Sequence, residues 1–192
     1  MSDKELLEQQ VIEALDVLTR GGIILYPTET VWGIGCDATN ADAVAKIYAL
    51  KRREDCKSMI VLTNHEDNVL RYVKSVPDVA WQLWEVSDKP LTLILPDGCG
   101  VASNLLPAER SIAIRISSNE FCRKLIGRLR RPLVSTSANI SGEKTPLRFD
   151  QISEEILSGV DFVVDPRLSI GATAKSSSII KLGLGGQIEI IR

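Results

Sequence analysis

The stretch from Gly21 to Asp37, GGIILYPTETVWGIGCD, constrains this chain more than any other. An apolar run, Ile23-Ile24-Leu25-Tyr26, follows two glycines and stops at Pro27. Proline has no N–H for a sheet ladder, so Pro27 marks the end or the edge of a strand. A polar elbow, Thr28-Glu29-Thr30, leads to Val31-Trp32 and then to Ile34 between Gly33 and Gly35. Glycines there allow a tight backbone or the close approach of another group. The pattern is strand, polar elbow, strand. Such an elbow, hung from buried strands, suits a ligand, and an ordinary hairpin with a capped turn fits the same pattern.

Helices and strands alternate around this stretch. Ser2 and Glu5 have capping-box spacing, and Leu7, Val11, Ala14, Leu15 and Leu18 fall on one helical stripe that Gly21-Gly22 closes. Asn40 is placed to cap a second helix with Val44, Ile47, Tyr48 and Leu50 inward. Met59 to Leu62 reads as a buried strand, and Asn64–Val73 and Val79–Val86 read as short helices. Leu91–Leu95 is a strand closed by Pro96, and Val101–Pro107 a loop or single helical turn. Ser111–Ser117 alternates, with Ile112, Ile114 and Ile116 on one face and Ser111, Ala113 and Arg115 on the other. Asn119–Arg130 is helical. Pro132–Val134 is a strand running into a polar Ser/Thr/Asn segment. A helix near Gln151–Leu157 precedes strands at Phe162–Val164, Ser178–Lys181 and Ile188–Ile191. This order predicts a three-layer α/β fold over residues 1–192 as one domain, with neighbouring strand pairs making the sheet mixed.

Composition narrows the function. The 192 residues are 44% hydrophobic, enough for a core, and the net charge is −2, so any polyanion must be held by a local patch. MSDKELLEQQ lacks the apolar run of a signal peptide, and no stretch reaches the roughly 18 apolar residues of a membrane span. Cys36, Cys56, Cys99 and Cys122 form no C-x-x-C and His65 is the single histidine, so reduced thiols in a cytoplasm are expected and a zinc site is not.

Common catalytic signatures are missing. There is no G-x-S-x-G, and Gly171-Ala-Thr-Ala-Lys175-Ser176 lacks the second glycine of a phosphate loop. Two polar clusters remain. Lys51, Arg52, Arg53 and Lys57 put four cations in seven residues, suited either to a triphosphate or to a solvated helix end. Ser135-Thr136-Ser137-Ala138-Asn139-Ile140-Ser141-Gly142 follows a buried strand directly, as a ligand loop or as a hydroxyl-capped turn.

Together these stretches resemble the YrdC family, the threonylcarbamoyl-AMP synthases. The matching residues are Tyr26-Pro-Thr-Glu-Thr-Val-Trp-Gly33, the K-x-R of Lys51 and Arg53, Ile112-Ala-Ile-Arg115, the S-x-N of Ser137 and Asn139, and Ser177-Ser178-Ile-Ile180. Each motif alone is uninformative; their order, running from Gly21 to Arg192, is specific. The resemblance implies a twisted mixed sheet with helices around a positively charged groove. It implies an enzyme that joins L-threonine, bicarbonate and ATP, with Mg²⁺, into threonylcarbamoyl-adenylate and pyrophosphate. Threonylcarbamoyl-transfer proteins would then modify tRNA, and tRNA or another RNA is a candidate further partner. Carried over by position, Lys51 and Arg53 would be catalytic. Arg53, Lys57, Ser111, Ser137, Asn139, Thr145 and Arg192 would bind ATP. Thr30, Arg115, Ser135 and Ser177 would surround threonine. No protein metal ligands are expected. The length matches the single-domain bacterial members.

Three departures bear on this. Glu54 stands where relatives often have proline, Leu62 where several have a threonine-contacting histidine, and Ser87-Asp88-Lys89-Pro90 where W-P-G-P is common. A non-catalytic RNA-binding module is the alternative from another class, disfavoured by the negative net charge and 5% aromatics. A carbamoyl-adenylate enzyme of hydrogenase maturation is a third, though that relative is a large multidomain chain.

Overall fold

A computed structural model describes residues 2–53 and 59–192. Lys57, expected at the phosphates, and Glu54 and Cys56 lie outside the described residues. Helix α1 (Asp3–Thr19) begins with the capping box: Ser2 Oγ accepts from Glu5 N at 3.3 Å, and Glu5 Oε2 accepts from Ser2 N at 2.7 Å. Gly21, at φ 76°, supplies the left-handed turn after its last residue.

Strands β1 (Ile24–Tyr26) and β2 (Gly33–Gly35) form the hairpin around Pro27. Helix α2 (Ala41–Lys51) is capped by Asn40, whose side chain accepts from Ala43 N. Then come β3 (Ile60–Thr63), α3 (Asp78–Val86), β4 (Leu91–Leu95), β5 (Ile112–Ile116) and α4 (Glu120–Leu129). The chain continues through β6 (Leu133–Ser137), α5 (Glu154–Gly159), β7 (Phe162–Val163), β8 (Ser178–Leu182) and β9 (Ile188–Ile190). These strands build a twisted nine-stranded sheet in the order β7-β1-β2-β6-β3-β5-β4-β8-β9. β1/β7, β3/β5 and β4/β8 pair in parallel and the other neighbours antiparallel, the mixed sheet expected from the sequence.

Register divides the sheet into two faces. On one, Leu25, Ile34, Val61, Leu93, Ile112, Ile114 and Val134 join a core with residues of α2, α3 and α5. On the other, Ile24, Tyr26, Leu62 and Leu133 pack under α1 and α4 with Leu7, Val11, Ala14, Leu18, Phe121, Leu125 and Ile126. This is the three-layer arrangement. The same second face carries Gly33, Ser135, Ser137, Ile60, Ala113, Arg115, Thr92 and Ile179, cross-strand partners in register. Gly35 permits one crossing there: a Cβ would sit 2.2 Å from Val134 O and 2.6 Å from the Tyr26 ring. Tyr26 Oη donates to Val134 O at 2.9 Å across that glycine.

Three expectations shift. The helix expected over Asn64–Val73 is a 3-10 segment, Glu66–Arg71. His65 Nδ1 accepts from Asp67 N and Asn68 Nδ2 donates to Asn64 Oδ1, local bonds that compete with α-helix. The helix near Gln151–Leu157 splits into a 3-10 turn, Phe149–Gln151, and α5. Ser135, Thr136 and Ser137 are the end of β6 rather than a loop after it, because β2 and β3 hold them in the ladder: Ser137 faces Gly33 and Ser135 faces Ile60.

Candidate active site

The polar second face of the sheet opens into a cavity of about 220 Å³ beyond the cover of α1 and α4. Of the residues proposed from the sequence, Thr30, Arg53, Arg115, Ser135, Ser137, Thr145, Ser177 and Arg192 line it. They come from the elbow, the end of α2, three strands or their flanks, the segment after β6, and the chain's last described residue. Three guanidinium groups and no acidic side chain line this cavity among the described residues.

The elbow is fixed by its own hydroxyls. Thr28 Oγ1 donates to Val31 O at 2.7 Å, so in its 2.8 Å contact with Thr30 Oγ1 it is the acceptor and Thr30 the donor. Backbone bonds from Thr173 N to Glu29 O and from Ala174 N to Thr30 O, both 3.0 Å, tie the segment before β8 onto the elbow. Ser177 shares a 2.8 Å hydroxyl bond with Thr92, and Arg192 Nε donates to Ser177 O at 3.0 Å. Burial lowers the Arg192 guanidinium's proton affinity, and the charge of Arg115 lowers it further.

Arg115 serves two ends at once. Its Nε lies 2.7 Å from Glu29 Oε1, with both side chains nearly fully buried, so it makes a structural ion pair. The contact is a charge pair without hydrogen-bond alignment: Arg115 Nε and Nη2 and Glu29 Oε1 have no hydrogen-bond partner. Ser117 Oγ donates to Glu29 Oε2 at 2.8 Å. Glu29 therefore anchors one edge of a guanidinium that also forms cavity wall, and the buried Nη2 retains its donor capacity.

Lys51 is placed differently from the open phosphate-facing cation the sequence suggests. It is 2% exposed and does not line the cavity. Its Nζ donates to Ser137 O and, at 2.5 Å, to Asn139 O, and Ser141 N donates to Lys51 O. Burial first, and then the charge of Arg53, lower its pKa to about 8. An internal ammonium here staples the Ser137–Asn139 segment to the end of α2. Arg53, two residues on, lines the cavity with Nη1 donating to Thr136 Oγ1 at 3.4 Å. Arg52 points away, to Glu155. Asn139 lies behind the wall, its Nδ2 donating to Ile140 O and Glu143 O at 2.9 Å. Ser111 sits on the face of Arg115 but at the opposite end of β5, its Oγ donating to Glu109 Oε1 at 3.2 Å.

Thr136 and Ser176 in the cavity wall, and Glu29 and Ser117 behind Arg115, are polar residues to which the sequence reading gave no site role. Ser117 was signalled by period: it continues the face of Ser111, Ala113 and Arg115 by one more step of two. Glu29 was signalled only by its place between two threonines in the elbow.

The Sua5/YciO/YrdC family model, described as "Telomere recombination", matches residues 16–192. The chain belongs to this family. A curated family member, threonylcarbamoyl-AMP synthase of Idiomarina loihiensis, is 34% identical over 171 residues, 88% of this chain and 91% of its own length. The solved structure of P. abyssi Sua5 complexed with L-threonine is 26% identical, with a TM-score of 0.79 over 90% of this chain. The H234A/Y235A form of the same Sua5 reaches a TM-score of 0.83 at 26% identity over 95% of this chain. This chain spans 50% and 55% of those two Sua5 chains. E. coli YciO, at 22% identity and a TM-score of 0.78, shares the fold across 96% of this chain. No helix among the described residues is long and apolar enough to cross a membrane.

Proposed function

We propose that this chain is a threonylcarbamoyl-AMP synthase, a transferase of adenylyl groups. The observation that carries the reading is the single cavity where Arg53, Arg115 and Arg192 converge with the hydroxyls of Thr30, Ser135, Ser137 and Thr145. The relative of that name, alike over nearly its whole length, supports it.

The chemistry asks for such a site. The threonine amine adds to bicarbonate with loss of water, giving an N-carboxylate. A carboxylate oxygen then attacks the α-phosphorus of ATP, the Pα–O bond to the β-phosphate breaks, and pyrophosphate leaves. Two anions must meet, so cations and donors aimed at their oxygens lower the barrier, and no enzyme nucleophile is needed. Arg115 holds the threonine carboxylate through the edge that Glu29 leaves unused. Arg53 and Arg192 face the phosphates, with Lys57 as a further candidate. Ser135, Ser177 and Thr30 orient threonine, while Ser137 and Thr145 follow the nucleotide; Ser111 and Asn139, which do not line the cavity, support it from outside. Lys51 acts by positioning the Ser137–Asn139 segment rather than by touching phosphate. Holding an unstable carbamate against ATP, away from bulk water, is the main catalytic task. Mg²⁺ enters as part of the ATP complex, held by phosphate oxygens and water. The product would pass to threonylcarbamoyl-transfer proteins in the cytoplasm for tRNA modification.

Purified protein given ATP, Mg²⁺, L-threonine and bicarbonate is expected to yield threonylcarbamoyl-AMP by mass spectrometry, with pyrophosphate release that depends on threonine. Absence of that product, while a control synthase makes it, would overturn the assignment.

A further inference from the structure

A second polar cavity, of about 370 Å³, lies at the other end of the β3/β6 pair. β3 enters the active site at Ile60 and reaches this cavity at Thr63. Arg71, Arg130 and Arg131 stand exposed around its rim, and no carboxylate lines it among the described residues. Arg131 is matched by Asp37, 2.7 Å away. Arg71 and Arg130 make no ion pair among the described residues, and neither guanidinium donates to a carbonyl at the nearby helix ends. At the floor, Thr63 is 1% exposed and its Oγ1 has no hydrogen-bond partner. Beside it, Asn64 Oδ1 is occupied by Asn68 Nδ2 at 2.8 Å, which leaves the Asn64 amide N–H₂ as a donor.

Helix ends attract arginines, which is the ordinary account of Arg71 and Arg130. That account does not reach Thr63. A buried hydroxyl without a partner is costly, and Thr63 lines the same cavity as two guanidinia without an ion pair and an amide donor. Every one of those groups can donate to an oxyanion, and none requires the ligand to supply a donor. The net charge of −2 on the whole chain makes two unmatched cations around one crevice a local feature rather than a general one.

We propose that this cavity binds the phosphate of a phosphate ester, at a site separate from the nucleotide cavity. Guanidinium groups match phosphate geometry, and Thr63 Oγ1 would take one oxygen at the floor. The cavity is roomier than a bare phosphate needs, so the group is carried on a larger body: a free nucleotide or a nucleic-acid backbone. The proposal does not depend on threonylcarbamoyl-AMP synthesis and is read without it.

The test is a titration of the full chain followed by ¹H–¹⁵N shifts at Thr63, Gly127 and the Arg130 Nε–H. One arm adds AMP and another a short RNA hairpin. Saturable shifts at these positions are expected, weakened about five- to tenfold by Arg130→Asn and a few-fold by the near-isosteric Thr63→Val. Asparagine tolerates the left-handed backbone of Arg130, φ 56°, so the variant removes charge without forcing the helix end to refold. Adenylate synthesis by both variants is expected to be unchanged. A response to AMP identifies free phosphate esters, and a response to RNA alone identifies the backbone. No saturable shift from either probe up to about 10 mM phosphate groups, or shifts that both variants leave intact, would overturn the proposal.

Discussion

Replacing Arg115 by lysine separates the two roles its surroundings assign to it. The guanidinium is nearly fully buried, with Nε against Glu29 and Nη2 lacking a hydrogen-bond partner at the cavity. A lysine ammonium can stay beside Glu29 and keep the buried charge matched. It cannot also present a planar fork to a carboxylate. One or two charge-assisted hydrogen bonds to threonine are then lost, at about 1.5–3 kcal/mol, or roughly 10- to 150-fold in affinity. The carboxylate is remote from the bond being made, so the loss falls on the threonine KM, with kcat and the ATP KM changing less. Stability should fall by no more than about 1 kcal/mol, which at roughly 2–4 °C per kcal/mol for a chain of this size is a small drop in Tm. Arg115→Ala is the contrast. It strands the Glu29 carboxylate in a dry site, costs about 3–5 kcal/mol, and should lower Tm by roughly 6–20 °C. Steady-state kinetics with threonine varied at saturating ATP, beside thermal melts of both variants, reads all of this. An Arg115→Lys enzyme with wild-type threonine KM but a large drop in Tm would show that Arg115 is structural only.

Arg53→Ala should cut adenylate formation roughly 10- to 150-fold with the fold intact, whereas Arg52→Ala, which breaks an exposed pair with Glu155, should leave turnover near wild type; equal effects in the product assay would refute the division. The pKa of Lys51 is lowered from 10.5 to about 8, so between those values the folded protein holds fewer protons than the unfolded chain and stability rises with pH. Urea midpoints of wild type relative to Lys51→Met should accordingly move in favour of wild type from pH 7.5 to 10, and parallel curves would contradict this. Gly35→Ala places a methyl 2.2 Å from Val134 O and against the Tyr26 ring, so its cost should exceed the about 1–3 kcal/mol of ordinary overpacking. A thermal melt within about 2 °C of wild type would mean the crossing yields more easily than its geometry suggests.

The parts legible in the sequence were those set by local rules. Ser2 with Glu5, Asn40 and Pro27 each act within a few residues, and each ended or began an element where expected. The alternation of Ile112, Ile114 and Ile116 fixed which way Arg115 must face before any neighbour was known. What local rules could not give was partnership across the sheet. Ser135 to Ser137 read as loop because hydroxyls favour turns, and only pairing with both β2 and β3 makes them strand. Lys51 read as an open cation at a helix end; its inward course is fixed by carbonyls of a segment far along the chain. The Arg115–Glu29 pair joins β5 to the elbow in the same way, and it gives one guanidinium both a structural partner and a place in the cavity wall.

The sheet order carries a consequence for the timing of synthesis. Its strands are early and late pieces interleaved: β2 lies against β6, β4 against β8, and β7 returns to flank β1 at the edge. The candidate site inherits this, since the elbow is fastened by Thr173 and Ala174 and the far wall is closed by Ser177 and Arg192. A nascent chain can fold α1 against the first hairpin but cannot assemble a working cleft until residues near 192 have cleared the ribosome. Until then β2 and β4 present open ladder edges, and the non-local pairings that satisfy them are the slow kind. A complete cleft in this architecture therefore waits on Ser177 and Arg192, and the sheet cannot be finished before β8 and β9 are made.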